Sequence, residues 1–590
     1  MLTAEPKALG SSWYNATRIE SPPRSRLSVE LDIDVCVIGA GLAGLTAALE
    51  VARRGWSVIV LEAQSVAWDA SGRNAGIVRP GFALGAQALV ERVGLERAKQ
   101  LWALSVTGAE YVRGAAREMP GAALSETGWL HVVRTDNTKA MAAEAALLVG
   151  EFGTLVEPWP AQRVREALRS LHYFHGLHHP HGFSLHPLNY ALGLAAAAEA
   201  AGARIFEDTP ALQIDPAGVR KRIVTGGSRV RASHVVLAGS VHLAGLLPEF
   251  SRTLVPVVGY AVTTAPLGPA LHEAIRYPGA VGDGELADHQ YRVVDGDRLM
   301  WTGRSAVWRG KPQRTAKALL RQIGQLYPAL RGVKADYAWS GTNGDTVHGM
   351  PQIGEISPGL WLLSGFGNHG LNTTAMGGEL VARAIVEGDR TWQMFSPFAL
   401  VWAGGGLGRT AKRVSGWSAR AGGFAAALLA RRREVKRLRA EAEAAKVKQF
   451  ARIAAAAAAA PAASEVHELV HPAMETISQP PGVAPESIPA AAVERPEELF
   501  PDTRPEALFP DSGVVASEPP PQPQSTPPVA PPAPRKRKRG PKKMTAADTK
   551  TTLAELSKLV MEAQSKNLDA PNETGEPAPP PDTPSVDKKV

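Results

Sequence analysis

The chain of 590 residues holds a single cysteine, which excludes any disulfide within the chain and any metal site built from cysteine pairs. That residue, Cys36, falls in an apolar run of strand length and reads as a small buried hydrophobe. No apolar run reaches the ~20 residues of a membrane-spanning helix. The first residues show no basic region followed by an apolar core, so no secretory leader is expected and the expected compartment is the cytoplasm. Aromatic residues make up only 6% of the chain, and after residue 460 they shrink to Phe500 and Phe509, which leaves that stretch little with which to build a core. The formal charge is +8, but the excess gathers in two C-terminal clusters and describes a basic tail rather than a basic active site.

What is present is length enough for two or more domains and one strongly patterned stretch, Asp34 to Arg79. Asp34 to Ile38 is an apolar strand. Gly39-Ala40-Gly41-Leu42-Ala43-Gly44 follows, then a helical pattern to Arg54, a stop at Gly55 and a second strand ending at Glu62. This is a β-α-β unit with its glycines in the order that dinucleotide binding requires. Gly39 makes the tight turn, Gly41 lets backbone approach a pyrophosphate, and Gly44 lets helix and strand pack closely. The helix start then offers unpaired N–H groups and a positive dipole end. Glu62, about twenty residues on, stands where a carboxylate accepts hydrogen bonds from a ribose.

Residues 1–31 are polar, broken by Pro22 and Pro23, and read as an extended lead-in. Ser71 to Gly76 (SGRNAG) reads as a turn rather than a continuing helix. Helices are expected over Gln87–Glu118, Ala140–Gly150, Pro187–Ala201 and Thr373–Val386. Strands are expected at Thr127–Arg134, Arg204–Phe206, Arg220–Val224, Val230–Leu237, Val255–Thr264, Tyr291–Val294, Leu299–Gly303 and Leu360–Ser364. The last is followed by a glycine-rich turn, Gly365 to Gly370, so a second strand–turn–helix unit stands far from the first. Phe424 to Ile453 is rich in Ala, Leu, Arg, Lys and Glu and reads as helix without a clean heptad seam. From residue 461 Pro, Ala, Ser and Glu dominate and disorder is expected. Within that tail Arg495–Thr503 (RPEELFPDT) is nearly repeated as Arg504–Ser512 (RPEALFPDS). Duplication in unconstrained sequence accounts for it; a doubled docking peptide with Leu-Phe anchors is the alternative. Arg535–Lys543 (RKRKRGPKK) is either solvated tail or a weak contact for nucleic-acid phosphates or a protein partner.

The stretch from about Asp34 to Glu387 resembles the FAD-dependent oxidoreductases of the D-amino-acid oxidase type, which include glycine oxidase, sarcosine oxidase and gamma-glutamylputrescine oxidase. SGRNAG is similar to the corresponding segment of the last group. Further matches are Pro187 to Ala211, Arg231 to Ser240 (RASHVVLAGS), Pro256 to Leu267 (PVVGYAVTTAPL) and Leu362 to Ile385 (LLSGFGNHGLNTTAMGGELVARAI). The resemblance implies an α/β fold: a Rossmann-like FAD-binding domain of glutathione-reductase type, with an inserted, mainly antiparallel α+β substrate domain. The implied oxidoreductase spans 32–395. Its FAD-binding segments are about 32–85, 145–250 and 345–395, and its substrate-domain segments about 86–144 and 251–344. A weakly matching extension with a basic, Ala-rich helix covers 396–460, and the disordered tail 461–590.

By the same resemblance, Gly39, Gly41, Gly44 and Glu62 hold the ADP half of FAD, with Ala40, Leu42, Ala43 and Ala63 beside them. Ser71, Gly72, Arg73, Asn74, Ala75 and Gly76 run along the pyrophosphate and the flavin edge. Ala211 stands at the adenine with Ala238 and Gly239 nearby, and Gly365, Phe366, Gly367, Asn368, His369, Gly370 and Leu371 reach the flavin. Oriented N–H donors there suit the negative charge of a reduced flavin. SGRNAG carries no histidine and Cys36 lies in the first strand, so non-covalent FAD is expected.

The implied reaction is oxidation of a C–N bond in an amine or amino acid by hydride transfer to the flavin. It gives an imine, which water hydrolyses to an aldehyde or keto acid plus ammonia or amine; oxygen then reoxidises the flavin, forming hydrogen peroxide. Arg304 is the first candidate for a substrate carboxylate because its planar fork suits bidentate binding; a surface arginine at a strand end is the plain alternative. His369 is a candidate catalytic group or a shaper of the turn, and Tyr260 and Trp301 are candidate pocket walls or simple core. His172, His175, His178, His179, His181 and His186 lack ligand spacing and accompanying carboxylates, so no metal is expected. Some relatives place an oxygen-activating lysine just before the strand that here reads PVVGYAV. This chain offers Arg252 there, which keeps open a dehydrogenase that passes electrons to a quinone or protein acceptor.

Overall fold

A computed structural model of the protein describes residues 12–284, 289–306 and 310–458. The side chains of residues 120, 304–306, 411–428, 450 and 453–458 lie outside that description, as do the repeat at 495–512, the basic run at 535–543 and the rest of 461–590.

The strand Leu31–Ile38 is central to an eight-stranded sheet and buries Val35, Cys36, Val37 and Ile38 completely or nearly so. An uninterrupted apolar run suits this place, because helices cover a parallel sheet on its faces and leave neither side to water. Val58–Leu61 and Arg229–Leu237 flank it in parallel, and Arg204–Phe206 and Leu360–Ser364 extend the parallel set on either side. Gln352–Ser357 adds an antiparallel edge, and the hairpin Ala211–Asp215/Lys221–Thr225 joins the other end of Arg229–Leu237. The chain thus builds this sheet in three separate passages.

Between returns it builds a second eight-stranded sheet in the order Ala335–Thr346, Leu254–Thr264, Arg298–Ala306, His289–Val294, Ala280–Asp283, Trp129–Val132, Gly176–His179, Glu157–Trp159. Every pairing is antiparallel except Ala280–Asp283 with Trp129–Val132. Its core centres on Tyr291 stacked on Trp301, with ring centroids 4.2 Å apart and 4° between planes. The buried hydroxyl of Tyr291 is satisfied by those of Tyr173 and Tyr327 at 3.2 and 2.6 Å.

Several elements depart from expectation. Gln87–Glu118 is two helices, Ala86–Val93 and Leu95–Arg117, because Gly94 sits at φ +77° between them. SGRNAG is not wholly a turn: Ala70–Arg73 forms one helical turn before Asn74 extends. The lead-in is not extended throughout, since Trp13–Ala16 is helical, capped by Ser12, and buries Trp13 and Tyr14. The late helix runs Gly405–Ala458, well beyond Phe424–Ile453. On it Glu434 meets Arg165 of the body at 2.7 Å, and hydrogen bonds from Arg437 and Arg165 hold its carboxyl down to about 2. Among the described residues no helix is long and apolar enough to cross a membrane.

The helix Leu42–Arg53 packs against Gly370–Glu387 where Gly378 meets Thr46. A Cβ on Gly378 would stand 2.7 Å from Thr46 Cβ and 2.8 Å from the Ala47 nitrogen. Gly378→Ala is therefore expected to force the two helices apart at a cost on the order of 1–3 kcal/mol. Chemical denaturation of the purified protein checks this, and an unchanged midpoint would show that the contact yields without cost.

Candidate active site

A cavity of about 560 Å³ lies between the glycine turns of the parallel sheet and the near edge of the second sheet. At its first end the backbone of Gly39 adopts φ +112°, and a Cβ there would press to 3.0 Å against the Ala238 carbonyl. A Cβ on Gly44 would fall 2.0 Å from the Gly39 oxygen, so strand end, helix start and the Ala238 turn close on one another only as glycines. The helix Leu42–Arg53 consequently opens at the cavity wall, with Gly41 as its cap and Ser71 Oγ accepting from the Leu42 amide at 3.0 Å. Glu62 follows the strand Val58–Leu61. Its carboxylate accepts from the Ala40 and Gln64 amides at 2.8 and 2.9 Å; burial raises its pKa and those two bonds oppose the shift.

The segment Ser71–Gly76 forms the floor. Asn74 Nδ2 donates to the Ala70 and Ser71 carbonyls, Asn74 Oδ1 accepts from the Gly76 amide at 2.8 Å, and Trp339 Nε1 donates to the Arg73 carbonyl at 3.1 Å. Asp69 ties three segments at the rim: one oxygen meets His242 Nε2 at 2.9 Å and the other accepts from the Thr342 amide at 2.9 Å.

Of the residues expected at a dinucleotide site, Gly39, Gly41, Leu42, Ala43, Glu62, Ala63, Ser71, Arg73, Asn74, Ala75, Ala211, Ala238, Gly239, Phe366, Gly367, Asn368, Gly370 and Leu371 line this one cavity. Ala40, Gly44, Gly72, Gly76 and Gly365 stand behind the wall. Ala40 holds Glu62, Gly72 packs on the Ala67 carbonyl, and a Cβ on Gly365 would strike Thr346 Cγ2 at 2.4 Å. Cys36 does not line the cavity.

The expected substrate-side residues fare differently. Tyr260 lines the cavity, but its hydroxyl accepts from the Gly310 amide at 2.6 Å and so anchors a loop. Trp301 is fully buried in the second sheet and does not reach the cavity wall. Arg304 lies on the strand Arg298–Ala306, and its side chain is outside the described residues. His369 caps the helix Gly370–Glu387 between two lining residues, yet its ring turns behind the wall, towards Gly81.

There His369 joins a group that the linear sequence scatters. Burial, then the charge of Arg79, then His179, hold its pKa well below the ordinary histidine value, so the ring is neutral at pH 7. The Arg79 guanidinium lies 4.1 Å over the ring of Trp129, which also contacts His131 and His179. Burial drives His131 down to about 4 and His179 well below the ordinary value. Burial lowers Arg79 to about 10, opposed by the charge of Glu144, so it stays cationic at neutral pH. Arg79 has no hydrogen bond or ion pair to any described residue, and the buried Nε1 of Trp129 also lacks a partner. A cation, an indole N–H and three neutral imidazoles form a set rich in donors and without a contacting carboxylate, which is the chemistry of an anion site.

Sequence reasoning ended its motif at Arg79 without assigning it a task. Ile77, two residues earlier, lines the cavity whereas Arg79 does not, and no local sequence pattern singles Arg79 out. The histidine cluster is not a unit. His179 joins the Arg79 group, His178 meets Glu157, His175 meets Asp136, and His186 caps the helix Pro187–Ala200. Among the described residues no three His, Cys, Asp or Glu side chains are placed to hold a metal.

The cavity's glycine turns, the carboxylate held at the second strand and the returning Gly365–Leu371 turn suit a flavin dinucleotide, and comparison with known proteins agrees. Residues 34–384 match the family model described as FAD dependent oxidoreductase. The chain is 31% identical over 398 residues to a probable oxidoreductase, OrdL, of Haemophilus influenzae, covering 65% of this chain and 90% of that protein. It is 29% identical to gamma-glutamylputrescine oxidoreductase of Escherichia coli, covering 66% and 91%. Glycine oxidase from Geobacillus kaustophilus shares the fold at a TM-score of 0.54 and 22% identity, with 63% of this chain and 99% of that chain covered. The chain belongs to the DAO family of FAD-dependent oxidoreductases.

Proposed function

We propose that the protein oxidises the C–N bond of an amine or amino acid that carries an anionic group, and that Arg79 rather than Arg304 receives that group. The observation that carries this reading is the half-buried Arg79 guanidinium, without an ion-pair partner among the described residues and lying over Trp129 beside His369, whose neighbours Asn368 and Gly370 line the cofactor cavity. Names among the relatives, gamma-glutamylputrescine oxidoreductase and glycine oxidase, point to amine and amino-acid chemistry.

Gly39, Gly41 and the start of the helix Leu42–Arg53 would hold the pyrophosphate, and Glu62 the ribose. Asn74 and Ala75 would run along the flavin, with the Gly367–Leu371 turn presenting amides to it. FAD bound there would supply the oxidant for hydride loss from the carbon next to nitrogen. The chain's own residues then have three tasks. Arg79 and the Trp129 N–H fix the anionic end of the substrate and so aim the amine-bearing carbon at the cavity. His369, held neutral by burial and by Arg79, orients through a hydrogen bond and stores no proton at neutral pH. The apolar walls, Ile77 and Leu371 among them, keep water from the reacting carbon until the imine has formed.

Oxygen is the proposed final acceptor. One observation favours the alternative of a quinone or protein acceptor: among the described residues no lysine lines the cavity, and Arg252, near where some relatives place one, is exposed. Stopped-flow mixing of substrate-reduced enzyme with oxygen decides between them; reoxidation no faster than that of free flavin would establish the dehydrogenase.

Arg79→Ala is expected to raise KM for carboxylated substrates about 10- to 100-fold, the loss of a charge-assisted pair worth about 1.5–3 kcal/mol, while changing simple amines little. Steady-state kinetics on both substrate classes tests this, and equal effects on the two would remove Arg79 as the anchor. The pH profile provides a second test. With burial and the Arg79 charge holding His369 neutral, the rising limb of kcat/KM should report deprotonation of the substrate ammonium and should persist in His369→Asn. A limb near pH 6–7 that vanished in the variant would assign the proton to His369 instead.

A further inference from the structure

The segment Ser71–Gly76 has to present backbone to the cavity in one fixed orientation, and the question is what turns its peptide planes. A trans peptide is rigid, so fixing its carbonyl fixes the direction of the N–H on its opposite edge. Trp339 Nε1 holds the Arg73 carbonyl at 3.1 Å, which settles the direction of the Asn74 N–H. The next fixed plane joins Ala75 to Gly76. Asn74 Oδ1 takes its N–H at 2.8 Å, and Arg292 Nε donates to its carbonyl at 3.2 Å.

Arg292 comes from the strand His289–Val294 of the second sheet, two residues after Gln290, which lines the cavity. Its remaining donors serve the same junction. Nη2 donates to the Leu185 carbonyl at 2.8 Å and to Tyr14 Oη at 3.4 Å, and Nη1 to Ser184 Oγ at 3.3 Å. Arg292 forms no ion pair with a carboxylate among the described residues, so its whole fork is spent on neutral acceptors of three chain segments. The fit against Gly76 is close: a Cβ there would stand 2.8 Å from Arg292 Nη2 and 2.2 Å from the Leu185 oxygen, and Gly76 sits at φ +69°.

Tyr14 completes the arrangement from the N-terminal segment. It is fully buried, donates its hydroxyl to Met300 Sδ at 3.1 Å, and packs edge-on against His186 and Trp339, the latter being the residue that holds the Arg73 carbonyl. Residues beyond it are tied down in turn, by Thr17 on His186, Ile19 on Asn189 and a bidentate pair of Arg24 with Glu199.

We propose that Arg292, backed by Tyr14, is a positioning residue for the cofactor: it orients the Ala75–Gly76 peptide and so sets the wall against which FAD binds. This rests on the FAD reading given above. Arg292 is placed behind the wall and touches neither cofactor nor substrate.

The test measures FAD dissociation constants by flavin fluorescence on apoprotein of the full chain. Wild type, Arg292→Met, Arg292→Lys and Tyr14→Phe are compared, with the melting temperature of each apoprotein recorded alongside. Arg292→Met is expected to bind FAD about tenfold more weakly, equivalent to about 1.4 kcal/mol. Arg292→Lys should lie between it and wild type, and Tyr14→Phe should weaken binding about twofold to threefold, while visible circular dichroism of the bound flavin shifts in the same order. Lower apoprotein melting temperatures with unchanged dissociation constants would overturn the proposal and leave Arg292 as a structural tie. If Arg292→Met does not fold, the ordering of Arg292→Lys and Tyr14→Phe against wild type decides alone, unchanged binding in both overturning it. Wild-type apoprotein that takes up no FAD would instead defeat the FAD reading itself.

Discussion

A cavity between two sheets exposes backbone on its walls, and every peptide group there must be paired from behind if it is to face a ligand in one orientation. This requirement governs most of the contacts around the site. Asn74, Trp339 and Arg292 hold the floor segment, Ala40 and Gln64 hold Glu62, and Asp69 reaches both His242 and the Thr342 amide at the rim. The two sheets are consequently not independent layers: side chains of the second supply hydrogen bonds that the loops of the first lack. The repeated passage of the chain between them is what brings those side chains into range.

The same constraint divides the polar groups near the cavity into two kinds. Arg292, Trp339 and Asn74, at and behind the cofactor wall, are paired, their donors spent on carbonyl and hydroxyl oxygens. Those around Trp129 are not: among the described residues the half-buried Arg79 guanidinium has no hydrogen-bond or ion-pair partner, and the buried indole N–H has none either. The histidines beside Arg79 are held neutral chiefly by burial and secondarily by its charge.

The sequence by itself determined the β-α-β unit, because glycine is the only residue that meets three requirements at once: positive φ at Gly39, close approach at Gly41, and helix against strand at Gly44. A local spacing carries all of that. The parallel sheet's apolar strands and the helix opened by Pro187 were legible for the same local reason, and the motif order from SGRNAG to GFGNHG was legible through family resemblance. Tertiary structure alone decided which residues gather around Arg79. Arg79, Trp129, His179 and His369 lie far apart in the chain and share no periodicity, and their juxtaposition depends on how the second sheet packs against the Gly81 turn. Likewise Tyr14 reads as polar lead-in until the edge of the second sheet buries it, and Arg292 reads as an ordinary strand arginine until the Ala75 carbonyl arrives beside it. Local backbone chemistry is written in neighbouring residues; desolvation and long-range pairing arise only when distant segments meet.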